Sequence, residues 1–429
     1  MALNNDPYRT PNGTGRRTGI VLVTRIRTNN QGNQALSIAW RDAITSALPN
    51  APLFLIERSP PYLRDRRATD FAADPIPMFE ALARKLARIP SVPTSPPAVR
   101  DVTLDLQITP RLPFGWLRRM VRARRLTTWL GIGRSAFRER LSHFRKAHLV
   151  VMNPAGEFYP GASGIALTYL LDLRVAQLVG CKTAVVNLSL ETSDPVINAI
   201  AAHVFDRCDL IEFREERSRD VYRQIGGRAE PLILPDLAVM SGTADPAPSD
   251  AGDGLAVALN GLQVERMGIE DKWAALIAGW QADGLAVTLM TNEAPTDMPL
   301  FERLAARTGA AIDPPGLDQN AFRRRLGDFR VIVSSRLHSA ILGMAASRPV
   351  VAIEPGLFKM AACLNEIGGD EPLRYDDAGW TDRLRARVAN LLVEAPDTVA
   401  IIHRARQRIA DTLPSALVEV YDGPLLTRD

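Results

Sequence analysis

Val331-Ile-Val-Ser-Ser-Arg-Leu-His-Ser-Ala-Ile-Leu-Gly-Met-Ala-Ala-Ser-Arg-Pro-Val-Val-Ala-Ile353 is the stretch whose reading decides the fold. The β-branched run to Val333 suits a buried strand, and the small apolar residues from Leu337 to Ala346 recur at helical spacing. Ser347-Arg348-Pro349 is a turn, and Val350 to Ile353 is a second buried strand. In such a strand–helix–strand unit, ligands sit beyond the carboxyl ends of the strands, where a helix N-terminus offers unpaired N–H groups and a positive dipole end to an anion. Arg336 and His338 fall at that mouth, with Ser334 or Ser335 expected as the helix N-cap. Two residues apart on a regular helix they would diverge, but at a strand-to-helix turn both face one cleft.

The same alternation extends outward in both directions. Gly19 to Thr24 reads as a strand, Asn29 to Asn33 as a loop, and Ala35 to Leu48 as one apolar helix face. Strand and helix patterns follow at 51–56, 148–153, 165–179, 183–188, 196–205 and 210–214, then at 254–260, 269–281, 285–291, 301–308 and 329–334. This alternation predicts an α/β protein with mostly parallel sheets wrapped by helices. Ser241 to Asp253 is rich in linker residues. The expected organisation is a tail over 1–17, a first domain over 18–240, a linker over 241–253, a second domain over 254–410 and a closing helix and tail over 411–429. Within the first domain, residues 85–146 form a Pro-rich, basic insert. Its arginines, among them Arg118, Arg119 and Arg122, suit an anionic membrane surface or simply a solvated helix.

A chain of 429 residues with 46% hydrophobic content has ample material for two cores. The net charge of +4 is too small to imply nucleic acid. The three cysteines, Cys181, Cys208 and Cys363, lie far apart, which suggests neither a disulfide framework nor a metal site and agrees with a cytoplasmic setting. The apolar run 164–180 is broken by Asp172 and Arg174, and the polar start of the chain lacks a signal core, so neither a membrane span nor export is expected. There is no GxGxxG or Walker pattern to support a dinucleotide or ATP site.

Four short motifs in order resemble one family. Asn30-Gln-Gly-Asn-Gln-Ala-Leu36, Phe213-Arg-Glu-Glu-Arg-Ser218, Leu234-Pro-Asp-Leu-Ala238 and the Ser335-Arg-Leu-His-Ser339 turn with Lys359 beyond it are similar to elements of the polysaccharide pyruvyl transferases. The resemblance implies two Rossmann-like domains facing across a cleft in a GT-B-like layout. It also implies transfer of pyruvate from phosphoenolpyruvate to two hydroxyls of a saccharide, as a cyclic ketal with release of phosphate, in the making of a bacterial-type surface polysaccharide. By the same resemblance Arg214, Arg336, Leu337 and Lys359 bind the donor and His338 is catalytic.

Those residue types suit the reaction. A carboxylate and a phosphate call for several fixed cations, and the enol carbon C3 must gain a proton, for which His338 is the candidate. On the acceptor side Asn33, Glu157 and Asp236 are candidates to orient the hydroxyls. No metal and no cofactor beyond the donor is expected; the partners are phosphoenolpyruvate and a saccharide, of which a lipid-linked form would place the protein at the inner membrane face. The chain departs from the family pattern at Asn33, at Pro154-Ala-Gly-Glu-Phe158 and at Glu354-Pro355. Two other readings compete: a GT-B glycosyltransferase using a nucleotide sugar, and a non-catalytic relative that binds glycan or membrane through the basic insert.

Overall fold

The computed structural model describes residues 17–25, 28–57, 74–88, 132–242, 254–354 and 358–424. The tail over 1–16, the basic segment 89–131 with Arg118, Arg119 and Arg122, and most of the expected linker, 243–253, lie outside them.

Two six-stranded sheets, parallel throughout, form two lobes. The first contains β1 (Gly19–Thr24), β2 (Leu53–Glu57), β3 (Ala147–Met152), β4 (Lys182–Leu188), β5 (Leu210–Phe213) and β6 (Leu232–Ile233), in the order β2-β1-β3-β4-β5-β6. The second contains β7 (Gly254–Ala258), β8 (Ala286–Leu289), β9 (Ala311–Ile312), β10 (Val331–Ser334), β11 (Val350–Glu354) and β12 (Leu373–Arg374), in the order β12-β11-β10-β7-β8-β9. Read from its other edge, the second sheet has the Rossmann order, and each sheet reverses direction once, between β1 and β3 and between β7 and β10. The central strands are buried along their whole length, as strands covered by helices on both faces must be.

The lobes share one apolar core. Leu36 and Trp40 of the helix Gln31–Ala47, Leu237 of a short 3-10 turn, Ile341 of the helix Leu337–Ala345 and Ile409 of the last helix belong to a single buried cluster. That last helix, Thr398–Asp422, runs unbroken through residue 410 and returns to the first lobe. There the Lys182 ammonium donates to the carbonyls of Val420, Tyr421 and Gly423, satisfying oxygens that a helix end leaves open. No helix among the described residues is long and apolar enough to cross a membrane.

Several boundaries differ from the expected ones for local reasons. The segment expected as a loop at 29–33 is already helical from Gln31, because Asn30 is the N-cap and its side chain accepts from the Asn33 N–H at 3.2 Å. Neither Ser334 nor Ser335 caps the helix Leu337–Ala345; its N-cap is Arg336. Both hydroxyls serve the turn instead, Ser334 Oγ accepting from Arg336 N at 3.0 Å and Ser335 Oγ from Asn260 N at 2.8 Å. The helix expected from Phe301 begins at Ala294, since Pro295 falls in its first turn, where a missing N–H costs nothing.

One departure carries a measurable strain. Ala155 adopts φ 52°, a left-handed conformation that glycine takes freely and alanine does not. Its carbonyl accepts from Ser189 N at 3.2 Å, which fixes the loop in this shape. Ala155→Gly is therefore expected to raise stability by about 1 kcal/mol in denaturant unfolding; an unchanged or lower midpoint would show that the loop bears no such strain.

Candidate active site at the junction of the lobes

The loops that leave β1, β3, β5, β7, β8, β10 and β11 converge on one cavity of about 410 Å³ between the lobes. Its walls include Arg25, Asn33, Gly156, Glu157 and Arg214 from the first lobe and Glu293, Arg336, Leu337, His338, Glu354 and Lys359 from the second. Every one of these follows or ends a strand, so the parallel topology itself gathers them.

Arg214 is fully buried and held on two sides, its Nε donating to Ser189 Oγ at 2.6 Å and its Nη1 to Asp236 Oδ2 at 2.7 Å. Its Nη2 has no hydrogen-bond partner. A guanidinium fixed by two partners with its third nitrogen unsatisfied inside a cavity is prearranged for an anion. Lys359 Nζ lies beside it: a Cβ built on Gly156 would stand 2.8 Å from Lys359 Nζ and 3.0 Å from Arg214 Nη2. Burial, with Arg214 adding to it, pushes the Lys359 pKa below the ordinary lysine value. Its ammonium makes no hydrogen bond among the described residues, while its backbone N–H donates to Glu191 Oε1 at 2.9 Å, across the lobe junction.

His338 packs on the helix that starts the opposite lobe. A Cβ on Gly32 would fall 2.0 Å from His338 Cγ, so only glycine admits the ring there. His338 Nε2 lies 3.7 Å from Asp236 Oδ2, within ion-pair reach but beyond a hydrogen bond. Burial holds the imidazole below its ordinary value even though Asp236 pulls the other way. Asp236 itself would be raised by burial, but His338 and Arg214 outweigh that and keep it ionised well below the usual carboxylate range. It also caps the 3-10 turn Leu237–Met240 through the Ala238 N–H, so the capping reading of this residue and its place beside the cavity coexist.

Arg336 lines the cavity with its fork already engaged. Nη1 donates to Glu293 Oε2 at 3.2 Å, and Nη2 donates to Thr296 Oγ1 at 2.7 Å and to Asp297; only Nε lacks a partner. On the acceptor side, Glu157 takes an ion pair from Arg25 at 2.8 Å, and Asn33 places its side chain at the cavity wall. Asp236 stands behind Arg214 and His338 and does not line the cavity. Sequence reasoning brought Arg214, Arg336, Leu337, His338 and Lys359 to one place, and missed Arg25, Gly32, Gly156, Glu191 and Glu293. The two glycines are legible only once the side chain that crosses them is known; Arg25, directly after a buried strand, had a signal in its position.

Beneath Arg214 lie two further carboxyls. Burial raises Glu212 to about 8 and Glu215 to about 7 from 4.5. For Glu212 the folded value exceeds the unfolded one, so its contribution to stability is full below pH 4.5 and is lost as pH rises through about 8. Glu212→Gln removes that loss. It is expected to match wild type near pH 5 and to be more stable by several kcal/mol at pH 9, read as melting temperature against pH; parallel curves would mean that Glu212 is ionised in the fold.

Two Rossmann-like lobes with a cation-lined junction define a GT-B-like architecture. The solved structures agree on the fold. The S. aureus MnaA-UDP co-structure is similar at 10% identity and TM-score 0.51, covering 96% of this chain and 98% of that one. The OtsA apo structure is similar at 10% identity and TM-score 0.51, covering 95% and 99%. No curated protein matches the chain. The model of the polysaccharide pyruvyl transferase family matches residues 30–356, and the chain belongs to that family.

Proposed function

We propose that the protein transfers pyruvate from phosphoenolpyruvate to two hydroxyls of a saccharide, forming a cyclic ketal and releasing phosphate, in the synthesis of a surface or exported polysaccharide on the cytoplasmic side of the membrane. The observation that carries this reading is the pair Arg214 Nη2 and Lys359 Nζ, both within 3.0 Å of one point above Gly156; Arg214 Nη2 has no hydrogen-bond partner, and among the described residues Lys359 Nζ meets only the Tyr159 ring, at 5.8 Å. A fully buried guanidinium and a half-buried ammonium at one point of the cavity wall suit a small ligand with a carboxylate and a phosphate. Arg336 acts as a positioning residue: its fork, spent on Glu293, Thr296 and Asp297, fixes the turn that aims His338. Because burial keeps the His338 imidazole neutral, we assign it the proton of the first attacking hydroxyl, with Asp236 stabilising the imidazolium that results. Glu157 and Asn33 are placed to orient the saccharide.

Thermal unfolding of the full chain tests the donor. Phosphoenolpyruvate at a hundred times its dissociation constant should stabilise the protein by about 2.7 kcal/mol, and UDP should give no shift. Stabilisation by UDP alone would replace this reading with a nucleotide-sugar transferase.

A further inference from the structure

Of the four described buried carboxyls that burial raises above the ordinary carboxylate value, Glu212, Glu215, Asp297 and Glu354, only Glu354 borders the cavity. Glu215 is spent on Ser189 and Ser218 and Asp297 on Arg336, while Glu212 accepts from the Asn187 N–H with one oxygen and keeps its Oε1 unpaired, but away from the cavity. Glu354, the last residue of β11, lines the cavity with Lys359 and Arg214 while only 4% exposed. Its Oε2 is buried with no hydrogen-bond partner, although the N–H groups of Ala361 and Met360 reach its carboxyl from the helix Phe358–Ile367. A carboxyl with one oxygen left unsatisfied, in a cavity that two cations also line, is arranged for something that the cavity holds.

We propose, resting on the pyruvyl-transfer reading, that Glu354 is the proton carrier of this site: it gives its proton to C3 of the enol and takes one back from the second saccharide hydroxyl. The charges around it permit this. Burial pushes Glu354 up to about 7; Glu191 of the first lobe adds to that, while the Ala361 and Met360 N–H groups and Arg374 of β12 oppose it. Lys359 borders the same cavity, and Arg374 is itself paired with Asp376 at 2.9 Å. At neutral pH a substantial fraction of molecules therefore carries the proton.

The cycle balances. In the first half the oxygen of one hydroxyl bonds to C2 and its proton passes to His338, while the C2–C3 double-bond electrons take the proton from Glu354 and make the methyl group. In the second half the C2–O bond to phosphate breaks with its electron pair leaving on phosphate, which accepts the proton held by His338. The second hydroxyl bonds to C2, and its proton returns to the Glu354 carboxylate. Both residues end as they began.

Glu354→Gln keeps the shape and an oxygen for the two N–H groups but cannot carry the proton. The test is titration calorimetry of the full chain with phosphoenolpyruvate at pH 7.5, in buffers of different ionisation enthalpy, to count protons taken up. An anion arriving beside Glu354 favours its protonated form, so wild type should take up a large fraction of one proton more than Glu354→Gln, with dissociation constants at pH 6 within threefold. Phosphate release with p-nitrophenyl glycosides of glucose, galactose and mannose is the second arm. There kcat should fall about 10²–10⁴-fold, KM for phosphoenolpyruvate should stay within threefold, and the ionisation near pH 7 should leave the kcat profile. Equal proton uptake, or equal kcat, reduces Glu354 to a helix cap and overturns the assignment. If none of the glycosides is accepted, the proton count alone decides. A wild type that binds no phosphoenolpyruvate sinks the pyruvyl-transfer reading and this one with it, whereas binding with an unchanged proton count sinks only this one.

Discussion

Lys359→Met is expected to abolish pyruvyl transfer while leaving the protein as stable as wild type or more so. The half-buried ammonium makes no hydrogen bond among the described residues, and desolvation together with Arg214 disfavours its charge. A cation kept in that state detracts from the fold, and an apolar side chain of similar length removes the cost. Little structural is lost with the ammonium, because the hydrogen bond by which Lys359 joins the lobes is made by its backbone N–H to Glu191, and the ammonium adds only a 5.8 Å approach to the Tyr159 ring. What disappears is one of two charges facing the donor. Removing a charge-assisted contact in a water-poor site costs about 3–4 kcal/mol, near a thousandfold in kcat/KM. Melting temperature and turnover, measured on the same preparation, should move in opposite directions or the first not at all. A variant that loses stability and activity together would mean that Lys359 holds the lobes and not the donor.

Gly156→Ala is the second large effect, and it adds one carbon where Lys359→Met removes a charge. The new methyl would lie 2.8 Å from Lys359 Nζ and 3.0 Å from Arg214 Nη2. The lysine end can swing aside, but the guanidinium is pinned by Ser189 and Asp236. The methyl therefore fills the gap between the cations, and phosphoenolpyruvate binding by calorimetry should weaken at least about a hundredfold, equivalent to some 2.7 kcal/mol. The backbone at Gly156 does not require glycine, since it is absent from the positive-φ residues, so the fold should tolerate the change. Undiminished binding would place the donor elsewhere in the cavity. Ala155→Gly, one residue earlier, supplies the contrast: there the backbone and not the space is what matters.

These neighbouring positions show what could be read from sequence and what could not. The strands and helices were legible because buried parallel strands are continuous apolar runs and the helices carry one apolar face, and from these followed the two lobes and the strand-to-helix mouth holding Arg336 and His338. The residue types at that mouth announced an anion, but not which cation was unspent. Arg336 and Arg214 look alike in a sequence, yet the first has both ends of its fork taken up by Glu293, Thr296 and Asp297, about forty residues upstream, leaving only Nε, whereas the second keeps a terminal nitrogen, Nη2, unpaired. Partners distant in the chain decide this, and periodicity carries no trace of them. Glu354 illustrates the same limit: its spacing from Lys359 is visible, but its neutral-range proton arises from burial and from Glu191 of the other lobe. Gly32 and Gly156 read as ordinary loop or helix-start glycines until the side chains of His338 and Lys359 are laid across them.

The contact between Gly32 and His338 also gives the cleft a chemical gauge of its own width. With the lobes together, the ring is largely withdrawn from water and its proton affinity falls; were they to part, it would regain water and lose Asp236, and the first effect is the larger because burial is what dominates the closed state. By reciprocity, whatever opens the cleft binds a proton at this imidazole, and whatever protonates it pries the cleft open. Acid then acts on this enzyme as a wedge, and an anion seated on Arg214 and Lys359 as a latch.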